Sequence, residues 1–159
     1  MSFKAGASIG QWLHVLSSAL LSGTGIGTAF YLLMVSLHRD VRVVAVVGRY
    51  VVIADWLFTA TTVVFQPLSG FWMTHWAKIP WRSGWVGWSV LLYALAVACW
   101  LPVVVLQVRM RDLATDAAAR GQPLPPAYWR AFLFWVALGV PAFFAFVAVF
   151  YLMVVKPPL

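Results

Sequence analysis

The chain has 159 residues, of which 64% are apolar (AVILMFWYC) and 9% are charged, with a net charge of +7. A soluble domain averages roughly 45–50% apolar and about 25% charged residues, so a water-soluble globule of this length could not bury so much apolar surface, and a soluble enzyme is excluded. One cysteine, Cys99, excludes a disulfide-stapled secreted fold, and the apolar fraction excludes disorder.

What remains is an all-α integral membrane protein. A membrane-crossing helix takes about 20 apolar residues. Four stretches qualify: 12–37, 50–76, 84–108 and 131–155. Strands would leave backbone groups unpaired in hydrocarbon, and the runs lack the period-two alternation of a membrane barrel. The expected fold is a four-transmembrane-helix bundle forming a single domain over residues 1–159.

The first span, Trp12 to Leu37, is too long for a signal-peptide core of about 7–15 residues. His14 stands near its start, in what reads as the first turn. Ser17, Ser18, Leu21, Gly25 and Thr28 follow on the same face, which is small and mildly polar and so expected to point into the bundle. Gly23 and Gly27, four apart, permit close helix approach or leave room for a flat ligand. His38 ends the span, some 36 Å from His14, too far to share a site with it. The stretch Val41 to Val47 is apolar and flanked by arginines, so it extends the second helix out of the bilayer or lies along the interface.

The second span carries Asp55, the one acid inside a span, expected four or five residues in from the membrane face. A lone carboxylate there is costly, so an arginine partner is expected, Arg130 or Arg109. Gln66-Pro67 interrupts the span, as Pro102 and Pro141 interrupt the third and fourth. Each proline removes a donor and frees the carbonyl one turn earlier, on Val63, Ala98 and Ala137. Three such kinks suggest a bundle splayed around a cavity. His75 ends the span. With the first two spans antiparallel, it is expected at the depth of His14, where two imidazoles can hold a b-type haem iron. Gln66 can contact a ligand or bond a neighbouring helix. Asp112 to Pro126 reads as a polar surface loop, with Pro125 and Pro126 marking the start of the last helix.

Arginine placement sets orientation. The segments after spans one and three carry Arg39, Arg42, Arg49, Arg109, Arg111, Arg120 and Arg130, against Lys4, Lys78, Arg82 and Lys156 on the other side. The excess places those segments in the cytoplasm and both termini in the periplasm of a bacterial inner membrane. Trp12, Trp76, Trp81, Trp85 and Trp88 crowd the opposite side as an aromatic belt. The basic charge therefore marks topology, and nucleic-acid binding is not expected. No CxxC, HExxH or acidic cluster points to zinc or calcium.

The blocks GTGIGTAF (23–30), ADWLFT (54–59), QPLSG (66–70), CWLPVVVLQVRMRDLA (99–114), PPAYWR (125–130) and LGVPAF (138–143) resemble a bacterial family of four-helix inner-membrane proteins, domain of unknown function 2269. More distantly, Trp12-Leu13-His14, His38, Tyr128–Arg130, Pro141 and the end Val154-Val155-Lys156-Pro157 resemble HemJ-type protoporphyrinogen oxidases. CopD-like membrane proteins share the four-helix pattern. The HemJ likeness implies haem b, with His14 as ligand. The third span departs from that pattern, reading Gly84-Trp85-Val86-Gly87-Trp88-Ser89 where HemJ proteins carry a lysine and histidines. The likeness therefore implies haem held without the oxidase reaction.

The expected site combines His14 as axial ligand, His75 as a second, Gly23 and Gly27 against the macrocycle, and Gln66 as a polar contact. The rival expectation is a non-catalytic accessory or assembly subunit of a larger membrane complex. A third is a small channel lined by Ser17, Thr24, Thr28 and Gln66. Lipid is the expected solvent, with self-association or a larger complex as the partner relationship.

Overall fold

The computed structural model describes residues 3–80 and 84–157. Helix α1 runs Phe3–His38, α2 Val41–Ala54, α3 Ala60–Trp76, α4 Gly84–Ala119 and α5 Pro126–Val155. A π-helical segment, Asp55–Thr59, joins α2 to α3 without a break, so Val41–Trp76 forms one rod. The described residues contain no strand. Four helices, Ser8–His38, Val41–Trp76, Gly84–Ala119 and Pro126–Val155, are long and apolar enough to cross a membrane. Their outer faces suit lipid: Tyr31, Leu133, Phe134 and Val105 are each more than 60% exposed. The protein is an all-α integral membrane bundle.

The helices outrun the apolar stretches. α1 starts at Phe3, so His14 stands in its fourth turn. α2 includes Val41–Val47, so that stretch extends the second span along its own axis. The polar stretch expected as a loop is helical from Asp112 to Ala119, leaving residues 120–125 as the connection. At 36 residues, α4 is roughly 54 Å long against an apolar layer of about 30 Å. Charge ends a hydropathy window, but it does not end a helix. Trp81 and Arg82 lie outside the described residues, as does the side chain of Lys4.

The connections are tight and explicable. Arg39 takes a left-handed backbone, φ 62°, and closes α1 with bonds to the Val35 and Ser36 carbonyls. Asp40 then caps α2, its carboxylate accepting from the Arg42 and Val43 amides at 3.0 and 3.3 Å. Gly121, φ 63°, ends α4 in the same left-handed way. Pro125 caps α5 and Pro126 takes its first position, where a missing amide hydrogen costs nothing.

Helices α1 and α3 pack together, as do α4 and α5, and α2 joins the two pairs by packing on α1 and α4. The tight core therefore sits at the Arg-rich end. Leu32, Val44, Met110, Ala114, Tyr128 and Phe132 are almost fully buried there. A Cβ added at Gly48 would meet the Arg111 backbone at 3.6 Å, which shows how closely α2 and α4 approach. The Tyr128 hydroxyl and Ser36 Oγ, 2.6 Å apart, tie α5 to α1 inside this core. At the Trp-rich end the two pairs diverge.

Candidate functional site

The divergence leaves a cavity of about 1110 Å³, bounded by α1, α3, α4 and α5. Its walls are mainly apolar and aromatic, with Phe71, Trp72, Trp85, Phe146 and Phe150 among them. The polar groups on it come chiefly from the small face of α1 and from α3: Gln11, His14, Ser18, Ser22 and Gln66. Ser89 and Tyr93 of α4 add to these, and Lys156 stands at the α5 end.

His14 is buried, with its Nδ1 2.7 Å from the Ser69 hydroxyl of α3. Ser69 donates its own hydrogen to the Phe65 carbonyl at 2.8 Å. With its hydrogen on that carbonyl, the hydroxyl oxygen is free to accept from Nδ1–H, the tautomer that puts the lone pair of a neutral ring on Nε2. Nε2 makes no hydrogen bond within the described residues, and it is not among their sealed polar atoms. His14 itself lines the cavity. Gly70 leaves space at the ring edge: a Cβ there would lie 3.6 Å from Cε1 of His14.

Gln66 is buried one turn deeper and bonds the neighbouring helix. Its amide donates to Ser18 Oγ at 2.8 Å and to the His14 carbonyl at 3.2 Å. It fixes α1 against α3 and forms part of the cavity wall.

Other expected groups lie elsewhere. The pairs His14–Ser69 and Gly10–Trp72 set the antiparallel register of α1 and α3. His75 lies six residues beyond Ser69, roughly 9 Å further along the axis. It is exposed, stands edge-on to Trp76, and does not line the cavity. The two histidines are therefore not brought together. Gly23 is exposed and Gly27 half-buried; neither borders the cavity, and a Cβ on either meets nothing within 4 Å. The spacing that permits close approach is not used for it within this chain. No cluster of three or more His, Cys, Asp or Glu forms a metal site among the described residues.

Asp55 is buried, but without the expected arginine. Among the described residues the ion pair is between half-buried Arg111 and its exposed neighbour Asp112 on α4. Asp55 instead accepts from the Thr59 hydroxyl at 3.0 Å, and the Gln107 side chain of α4 stands near it. It follows the 14 residues of α2, so it lies well inside the rod rather than near its end.

Sequence reasoning missed three parts of the site. Ser69 shows only once the register of α1 and α3 is fixed. Tyr93 caps the Val63 carbonyl at 2.6 Å, the group freed by Pro67. The signal was present: a polar-tipped aromatic in an apolar run, in a bundle already expected to hold a bare carbonyl. Lys156 places its ammonium 5.7 Å from the Trp85 ring centre.

The family described as "Predicted integral membrane protein (DUF2269)" matches residues 8–157, and the chain belongs to it. No curated protein and no solved structure matches the chain.

Proposed function

We propose that this integral membrane protein holds b-type haem, or a porphyrin related to it, in the cavity at its Trp-rich end, with His14 as the axial ligand. One observation carries the reading: His14, held through Nδ1 by Ser69, lines a large apolar cavity, and its Nε2 makes no hydrogen bond among the described residues. Metal-bound histidines generally donate the other ring nitrogen to a fixed acceptor, which sets the tautomer and the ring direction. Ser69 fills that role.

The rest of the cavity suits the group. Its volume of about 1110 Å³ lies just above the usual range of ligand pockets, roughly 300–1,000 Å³, and leaves room for a large flat ligand. Its aromatic walls suit a flat ring, and Lys156 offers a cation to a carboxylate edge. His75 lies off the wall, so the reading rests on one histidine. When bound, haem supplies one-electron redox chemistry. The chain's own residues orient His14, exclude water with aromatic walls, and place the cation at the edge of the cavity.

The test is a visible spectrum of the full chain in detergent, as purified and after titration with haemin. Wild type gains a Soret band at stoichiometric haemin, and His14→Ala loses it. A wild type that leaves the haemin spectrum unshifted overturns the reading, as does a band equal in both proteins.

A further inference from the structure

The buried face of the second span is polar from Asp55 to Ser69. Asp55, Thr59, Thr62, Gln66 and Ser69 follow one another at helical spacing, and each is no more than 8% exposed. An interior helix face in a bundle is usually apolar or made of small residues. This one starts at a carboxylate and ends, about 21 Å away, at the serine bonded to His14.

The lower end lacks a positive partner. Asp55 has two neutral neighbours, Thr59 and Gln107. Gln107 is itself 5% exposed, and its Oε1 is a buried acceptor with no donor. A carboxylate with no counter-charge beside an acceptor with no donor is short of one positively charged hydrogen. A proton on Asp55 supplies it: the carboxyl O–H becomes a donor close to the Gln107 amide. The π-helical segment that begins at Asp55 fits this reading, since such segments occur often at functional positions.

We propose that Asp55 is a proton-binding site that exchanges with the cavity at the Trp-rich end along the polar face of the second span. Thr59 and Thr62 hydroxyls bond their own helix carbonyls or Asp55 and keep lone pairs free to accept. Successive heads stand one turn apart, about 5–6 Å, a gap that hydroxyl rotation and one water can bridge. The path is closed on the other side. Val51 and Val52 are buried one turn before Asp55, and Val51 packs into the core with Val103 and Met110.

Among the described residues no other ionic group faces this acid. The second span carries none between Arg49 and His75, and α1 has only exposed Tyr31 between His14 and His38. Titratable groups on α4 between Trp85 and Arg109 are Tyr93 and Cys99, and on α5 beyond Arg130 the group is exposed Tyr151. The proposal does not depend on what occupies the cavity.

The experiment is infrared difference spectroscopy on the full chain in nanodiscs, stepped between acidic and alkaline buffer. A carboxylic-acid carbonyl band appears on acidification and is missing in Asp55→Asn. Its rise after a pH jump slows several-fold in Thr62→Val and keeps the wild-type rate in Thr62→Ser. Thr62 does not line the cavity, so haemin binding is unchanged in both variants and the two proposals fail separately. Absence of an Asp55-dependent band across the pH range overturns the inference, as does a rate unaffected by Thr62→Val or equally slowed by Thr62→Ser. If Thr62→Val does not fold, Gln66→Met tests the same step, with slowing expected and an unchanged rate overturning it.

Discussion

The Tyr93 hydroxyl donates to the Val63 carbonyl at 2.6 Å, linking α4 to α3 beside the cavity. Pro67 has no amide hydrogen to offer that carbonyl, so the bond from α4 replaces the missing helical one. Tyr93→Phe should destabilise the protein by about 1 kcal/mol or somewhat more, because a carbonyl is left bare in a low-dielectric setting. In a Pro67→Ala background the helix supplies its own donor, and the same change should cost clearly less. Denaturant unfolding in mixed micelles, run as a double-mutant cycle, checks the coupling. Additive costs would show that the hydroxyl caps nothing.

The Ser36–Tyr128 pair predicts an asymmetry. Ser36 donates to the Leu32 carbonyl at 2.6 Å, so the Tyr128 hydroxyl is the donor between the two. Both residues are fully buried. Tyr128→Phe leaves Ser36 its carbonyl bond and should cost about 1 kcal/mol. Ser36→Ala strands a buried phenol and should cost more, about 1–3 kcal/mol. Thermal unfolding of the two variants in one detergent gives the order directly.

Asp55→Asn should be neutral or stabilising. Had an arginine paired with Asp55, removing the charge would strand a buried cation at about 3–5 kcal/mol. Thr59 and Gln107 are neutral and can also bond an amide. Unfolding midpoints of wild type and variant decide the matter, and a large loss would restore the idea of a hidden cation.

Ser69→Ala separates orientation from ligation. His14 keeps its ring but loses the acceptor that fixes Nδ1–H. On the reading proposed here, haemin affinity should fall roughly 10–100-fold, as for other partners of metal-bound histidines, without vanishing. His14→Ala should abolish the band. Equal affinity in Ser69→Ala and wild type would remove Ser69 from the site.

Glycine substitutions should differ in sign along α1. A Cβ at Gly10 runs into the Trp72 ring, so Gly10→Ala must swing that ring aside and should destabilise the α1–α3 contact. Gly23→Ala and Gly27→Ala meet nothing, and each should raise helix stability by up to about 1 kcal/mol. Unfolding of the dilute protein checks all three. A penalty at Gly23 or Gly27 that grows with protein concentration would assign that face to a second copy of the chain.

The bundle was legible because lipid imposes a simple rule: long apolar runs must be helices. Helix ends were not, because the charges at Arg42, Arg49, Arg109 and Arg111 interrupt apolarity without interrupting helical backbone. That error moved the histidines. Counting α1 from Trp12 put His14 in a first turn level with His75, whereas counting from Phe3 puts it deeper, opposite Ser69. The small polar face of α1 was read correctly, since His14, Ser17 and Leu21 are buried at helical spacing. The glycine pair shows the limit of spacing arguments: four residues apart allows contact but does not supply a neighbour. The arginine expected for Asp55 failed for a related reason, because composition counts charges and does not show that a hydroxyl and an amide have already taken the place.

The concentration of tight packing at one end gives the molecule the mechanics of tongs. Amide hydrogen exchange should be slowest around Leu32, Val44 and Met110 and quicken along each helix toward Trp12 and Trp85. On the reading proposed above, the jaws part for the ligand while the pivot stays shut, and loading needs no loss of the fold.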